Sequence, residues 1–177
     1  LDQLKTMNSK RFYHIGPPRD FDLFKTFENQ KVEKIDSCDF LLCTGLFDDE
    51  SELKFYEKLL LDHTEKKMIC TNPDLVVDRG EEREFCAGTV AKIFEKLGGE
   101  VKYFGKPFPE VYEKAINNLR GKKVICIGDN LNTDIKGANI QNFDSLLINN
   151  GIHKNEISNG IKELAKKYNV NINYTQT

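Results

Sequence analysis

Short apolar runs alternate with helical stripes along nearly the whole chain, and this alternation is what most restricts the fold. Strands are expected at 11–15 (RFYHI), 39–45 (DFLLCTG), 67–71 (KMICT), 101–105 (VKYFG), 123–128 (KVICIG) and 144–149 (DSLLIN), with a last one at 170–174 (VNINY). Between them, Phe21, Phe24 and Phe27 fall at helical spacing, and 48–63 carries Leu53, Tyr56, Leu59 and Leu60 on one face with acids in its first turn. Further helices are expected from Cys86 to Gly98-Gly99, from Pro109 to Gly121, over 132–142 and over 155–168, while 72–85 reads as a charged loop. Strands that alternate with helices form parallel βαβ units whose helices cover the sheet, so the fold class is α/β.

Composition removes several classes of function. The 177 residues carry a net charge of -2, and the basic residues lie beside acids, as in KFYEK. No footprint for nucleic acid or an anionic membrane is present. No apolar run approaches the roughly 18 residues a membrane span needs, and residues 1–16 lack the apolar core of a signal peptide. Five scattered cysteines, Cys38, Cys43, Cys70, Cys86 and Cys126, include no CxxC pair. They point away from a disulfide framework or a zinc site and toward a reducing, cytoplasmic setting. No G-x-G-x-x-G follows a strand, which argues against a dinucleotide binder. Thiol catalysis is weak as well: Cys86 opens a helix, but His14 is in a strand, His63 at a helix end and His153 in a late loop.

In open α/β sheets, ligands sit beyond the carboxyl ends of the strands. Two such ends stand out. YF is followed by Gly105-Lys106-Pro107, and the apolar run VICI, read as a buried strand, is followed by Gly128-Asp129-Asn130 and then Thr133-Asp134. Glycine lets the backbone approach a ligand closely. Lysine is a compact cation suited to a phosphoryl group, and aspartate is a hard oxygen ligand suited to Mg2+. Thr133 is placed to cap the next helix, where Asp134 is favoured by the macrodipole. Asp134 either orients a metal-bound water or positions Lys106. Taken singly, Asp129 could begin a turn and Lys106 could be a surface charge. Two polar ends on successive strands make a phosphoryl-transfer layout.

The stretch YFGKPFPEVYEKAI with KVICIGDNLNTDIKGANIQNFDSLLINNGIH resembles the C-terminal core of haloacid-dehalogenase-type (HAD) phosphatases, most of all subfamily IIA, the p-nitrophenyl-phosphatase and phosphoglycolate-phosphatase-like group. GKP is similar to that family's third motif and GDNLNTDI to its fourth, while TNPD (71–74) and CAG (86–88) are similar to its cap domain. The likeness runs from about Arg11 to His153. It implies a Rossmann-like HAD core, of which only the C-terminal part is present at 103–177, an inserted α/β cap at 11–102, and a core-to-cap connection at 1–10. It further implies a Mg2+-dependent hydrolase of a small phosphorylated metabolite. Lys106 would bind the phosphoryl group, Asp129 the metal, and Asp134 would support both. Gly128, Asn130 and Thr133 would shape the loop. Asn72, Asp74, Arg83 and Glu84 would face substrate, although an exposed charged loop explains those four equally well. A homodimer is left open.

The family reaction needs an Asp-x-Asp-Gly-Thr after an apolar strand, whose first carboxylate attacks phosphorus. Asp20-x-Asp22 does not supply it, because Gly16-Pro17-Pro18-Arg19 precedes it and Leu23-Phe24 follows. The nucleophile is therefore expected upstream of Leu1, and the 177 residues alone are expected to hydrolyse nothing. A degenerate HAD-like protein used for binding or regulation is the alternative.

Overall fold

The apolar runs do form strands, and all pairings within the two larger sheets are parallel. The computed structural model describes residues 1–7, 9–80, 82–117 and 121–177. It divides into two units: Leu1–Val76 with Glu84–Phe104, and Val77–Arg83 with Gly105–Thr177. The mixed α/β class expected from the alternation holds in each.

In the first unit the strands are β1 (Phe12–Ile15), β2 (Lys31–Val32), β3 (Phe40–Cys43) and β4 (Lys67–Cys70). It also contains β7 (Glu100–Tyr103), while β5 (Val76–Arg79) and β6 (Glu82–Phe85) pair as a ribbon most of which belongs to the second unit. The sheet order is β2-β1-β3-β4-β7. Alternation along the strands sends residues to opposite faces. Ile15, Leu41, Cys43, Met68 and Cys70 pack against Tyr56 and Leu60 of α2 (Leu53–Leu61) and Val90, Ala91 and Phe94 of α3 (Ala87–Lys96). The other face places Phe12, Phe40, Leu42 and Ile69 against Phe24, Phe27 and Leu4 of the short helix Asp2–Lys5. Each large side chain buried this way contributes about 1.5–3 kcal/mol, so these two layers hold the unit. Leu4 thus packs in the core of the first unit, which runs to Phe104.

The second unit contains α4 (Pro109–Ile116), β8 (Ile125–Gly128), α5 (Lys136–Ile140), β9 (Asp144–Ile148), α6 (Ile161–Tyr168) and β10 (Tyr174–Gln176). Its sheet order is β10-β9-β8, with a core of Leu131, Ile135, Leu147 and Leu164.

Several elements differ from the sequence expectation for local reasons. Phe21, Phe24 and Phe27 lie in a 3-10 segment, Pro18–Gln30, where a spacing of three repeats once per turn. The acids of 48–52 precede α2 instead of lying in its first turn, which begins at Leu53. The loop at 72–85 contains the β5–β6 ribbon; its strands are largely exposed and show no buried alternation to read. The helix expected over 155–168 is divided at Gly160 into a 3-10 turn and α6. The last strand lies at Tyr174–Gln176, C-terminal to its expected start. The helix from Pro109 is described to Ile116; positions 118–120 lie outside the described residues.

The largest correction concerns β8. Its apolar run suggested burial, yet Ile125 is 46 % and Ile127 63 % exposed. β8 is an edge strand, with no partner on its outer side among the described residues.

Candidate active site

The second unit's site begins where β8 ends. The backbone N–H groups of Asp129 and Asn130 both donate to Oδ2 of Asp134, at 3.2 and 3.1 Å. The Lys106 ammonium donates to Oδ1 of the same carboxylate at 2.5 Å. Asp134 is 7 % exposed. A carboxylate taken out of water is tolerated only when paired and hydrogen-bonded, and here each oxygen has a donor. Lys106 keeps 48 % of its side chain exposed, so its ammonium can meet an incoming anion while still bound to Asp134.

The local chain direction explains how an acid five residues downstream reaches back. The Asn130 side chain accepts from Asn132 N–H at 2.9 Å. The N–H groups of Asp134 and Ile135 converge on the Asn130 carbonyl at 2.9 and 3.2 Å, closing a π-turn over Leu131–Ile135. Such turns recur at functional sites because they redirect side chains within a helix. Asn130 therefore occupies the capping position that the sequence assigned to Thr133, which lies buried inside the turn. Gly128 makes the approach feasible: a Cβ there would stand 2.2 Å from Asp134 Cγ.

Asp129 is held from a different segment. Its Oδ2 accepts the Ile152 N–H at 3.0 Å. A Cβ on Gly151 would stand 2.2 Å from that oxygen. His153 follows, 6 % exposed. Its Nε2 lies 3.2 Å from Leu131 N and accepts that N–H, so Nδ1 carries the proton and donates to Glu156 Oε1 at 2.8 Å. Glu156 also accepts from Lys167 Nζ at 2.5 Å and Tyr168 Oη at 3.0 Å. The Lys167 bond first, then that from His153, lowers the Glu156 carboxyl to about 2.

The sequence-derived candidates are thus sorted. Lys106, Gly128, Asp129, Asn130, Thr133 and Asp134 are gathered in the second unit around one carboxylate. Arg83, in the same unit, donates through Nε and Nη2 to Asp78 at 2.7 and 3.0 Å and through Nη2 to the Ile152 carbonyl at 3.0 Å. The bond from Arg83 holds the Asp78 carboxyl below its ordinary range. Asn72, Asp74 and Glu84 belong to the first unit, where Asn72 Oδ1 accepts Asp74 N–H at 3.1 Å and closes the turn after β4. Gly151, Ile152, His153 and Glu156 were not identified from the sequence. The glycine in NNGIH, just past a strand, was the available signal; a backbone N–H such as that of Ile152 leaves none.

As a metal ligand, Asp129 offers a part-exposed hard oxygen, whereas Asp134 is committed to three donors. No group of three or more His, Cys, Asp or Glu gathers as a metal cage among the described residues. One carboxylate is compatible with Mg2+, which retains several waters and takes few protein ligands. The cysteines offer no competing chemistry at β3 and β4: burial pushes the Cys70 thiol up to about 12 and Cys43 well above its ordinary value. No helix among the described residues is long and apolar enough to cross a membrane.

The family model described as HAD-hydrolase-like matches residues 103–171, the segment carrying Lys106, Asp129 and Asp134. The segment that carries the site is thus similar to haloacid dehalogenase-like hydrolases. A dihydroxyacetone phosphatase of Corynebacterium glutamicum (strain R) is 30% identical over 89 residues, covering 49% of this chain and 32% of that protein. A crystal structure of a haloacid dehalogenase-like hydrolase from Brucella suis 1330 superposes with TM-score 0.71 at 35% identity, covering 81% of this chain and 59% of that one. The p-nitrophenyl phosphatase from Archaeoglobus fulgidus shares the fold, with TM-score 0.67 over 95% of this chain and 64% of that one, at 15% identity. The chain therefore spans about a third of the length of the curated relative and under two thirds of each solved structure.

Proposed function

We propose that these residues form the lysine–aspartate half of a phosphomonoester hydrolase site acting on a small phosphorylated metabolite. The observation that carries the reading is the Lys106–Asp134 pair at 2.5 Å, set beside Asp129 at the end of a parallel strand. Lys106 binds and neutralises a phosphoryl oxygen, and Asp134 holds the ammonium in place. Asp129 is the carboxylate that takes Mg2+. The ion, when bound, neutralises charge on the transferring phosphoryl group. Arg83, in the same unit as Asp129, is the substrate-facing candidate, whereas Asn72, Asp74 and Glu84 lie in the first unit.

The attacking group is an aspartate carboxylate outside these residues. It forms a bond to phosphorus as the substrate's alkoxide leaves and takes up a proton. Water then cleaves the acyl phosphate to release inorganic phosphate and restore the carboxylate. Two observations support this assignment. Asp20 and Asp22 lie in the 3-10 segment and not at a strand end. Ile125 and Ile127 expose one face of β8, and its outer edge has no strand partner among the described residues, whereas strands of parallel sheets are ordinarily covered. Further polypeptide pairing with that edge would bring its own strand end beside Asp129.

The test is a titration of the 177-residue chain with inorganic phosphate and Mg2+, read on amide shifts, beside an assay of p-nitrophenyl phosphate hydrolysis. Shifts confined to Gly105–Lys106 and Gly128–Asn130, removed by Lys106→Met and Asp129→Asn, with no turnover, are the expected result. Shifts that ignore both substitutions would overturn the phosphoryl site. Robust turnover abolished by Asp129→Asn would keep the site and overturn the external nucleophile.

A further inference from the structure

We propose that the Gly151–His153 turn orients the Asp129 carboxylate, with His153 as its positioning residue. The proposal rests on the reading of Asp129 as the metal-facing carboxylate.

Four consecutive amides after β8 are satisfied by side chains instead of by a helix or sheet ladder. Those of Asp129 and Asn130 go to Asp134, that of Leu131 to His153 Nε2, and that of Asn132 to Asn130 Oδ1. The loop's shape is therefore specified by three acceptors, and His153 is the one contributed by a segment more than 20 residues downstream. A buried N–H deprived of its acceptor costs about 1–3 kcal/mol, so Leu131 follows the imidazole.

The same turn grips the carboxylate itself. Ile152 N–H engages Asp129 Oδ2, and Gly151 has no side chain that would push that oxygen away. A rotation of Asp129 about its side-chain torsions breaks the Ile152 bond. A shift of the turn moves both the Ile152 and His153 contacts together, because the two residues are adjacent.

His153 is in turn locked. Glu156 accepts from Nδ1, which fixes the tautomer that leaves Nε2 as an acceptor. Lys167 and Tyr168 of α6 hold Glu156, and the Tyr168 ring packs edge-on to the imidazole at 4.8 Å between centroids. Arg83 adds a bond to the Ile152 carbonyl. The turn is thus tied to α6 through Glu156 and the Tyr168 ring.

The experiment uses the 177-residue chain, its His153→Ala, His153→Gln and Asp129→Asn variants, and two readouts. One is amide hydrogen exchange at Leu131 and Ile152 without metal; the other is Mg2+ titration followed by the amide shifts of Gly128–Asn130. His153→Ala is expected to accelerate both exchange rates at least about tenfold and to weaken Mg2+ binding about tenfold or more. His153→Gln, whose amide oxygen accepts the same N–H, is expected to restore both. A purely space-filling role would not separate Gln from Ala in this way. Unchanged Ile152 exchange and Mg2+ binding in His153→Ala would overturn the proposal, as would a folded His153→Gln that behaves like Ala. If Asp129→Asn leaves the Mg2+ titration as it was, the metal reading falls, and the metal-free exchange of Ile152 alone decides the positioning. Should His153→Ala unfold, Glu156→Ala, which removes the acceptor of Nδ1, is read on the same two measurements, with faster exchange and weaker Mg2+ binding expected and no change in either overturning the proposal.

Discussion

A Cβ at Gly128 would stand 2.2 Å from Oδ2 of Asp134, so only hydrogen fits between the end of β8 and that carboxylate. Gly128→Ala must therefore displace either the strand end or Asp134, which would break the bonds from Asp129 and Asn130 N–H. The expected loss is about 1–3 kcal/mol, the ordinary cost of overpacking, read as a lowered urea midpoint. A midpoint within error of the parent would mean that the loop and carboxylate adapt without strain.

Asp134 and Lys106 differ in how much each stabilises the fold. Asp134→Ala removes the acceptor shared by two backbone N–H groups and the Lys106 ammonium, and about 2–4 kcal/mol is expected to be lost. Lys106→Met leaves Asp134 with its two N–H donors, and the lysine is half exposed. Oδ1 of the buried carboxylate loses its charged donor, so a loss of about 1–3 kcal/mol, smaller than that of Asp134→Ala, is expected. Equal losses in chemical denaturation would contradict the assignment of Asp134 as the organising group and Lys106 as the ligand-facing one.

His14 sets an acid limb in the first unit. It is 6 % exposed, its Nε2 lies 2.9 Å from Thr44 Oγ1, and burial lowers its pKa from 6.5 to about 4, with Lys31 adding to the effect. The unfolded chain takes up a proton there below about 6.5, whereas the folded chain does so only near 4. The stability His14 contributes is complete above pH 6.5 and is lost as pH falls to 4, by on the order of 2–3 kcal/mol. His14→Gln keeps a hydrogen-bonding group without the titration. Its stability is expected to be flatter across that interval in equilibrium unfolding at graded pH; an unchanged slope would exclude His14 as the source.

The exposed edge strand β8 is expected to act as an association surface. Ile125 and Ile127 stand exposed on a strand whose outer N–H and C=O groups have no strand partner among the described residues. Concentration-dependent self-association of the 177-residue chain is expected by light scattering, and Ile127→Lys is expected to suppress it while the far-UV spectrum stays unchanged. Equal scattering masses for parent and variant across the concentration range would show that this edge is not sticky.

Much of the architecture was legible because period and burial are local properties. β1, β3 and β4 are read directly from FYHI, FLLC and KMIC, whose side chains alternate between two packed layers. The pairing of a glycine–lysine end with a glycine–aspartate end was also visible, because both follow apolar runs. β5 and β6 were not legible, since largely exposed strands bear no hydrophobic period. Thr133 was given the cap that Asn130 holds, because Ser, Thr, Asp and Asn are interchangeable in a propensity argument, and only the turn's hydrogen bonds distinguish them.

The sequence by itself determined the α/β class, the strand ends that matter, and the identities of Lys106, Asp129 and Asp134 as the polar residues placed there. Tertiary structure alone decided that Asp134 turns inward to bind Lys106, that Ile152 and His153 hold the Asp129 loop, and that β8 lies at an edge. The physical reason is range. Apolar periodicity and turn chemistry act over a few neighbouring residues, whereas a carboxylate's orientation depends on donors brought from distant segments. Some of those donors, such as the Ile152 N–H, are the same in every residue and leave no trace in the order of side chains.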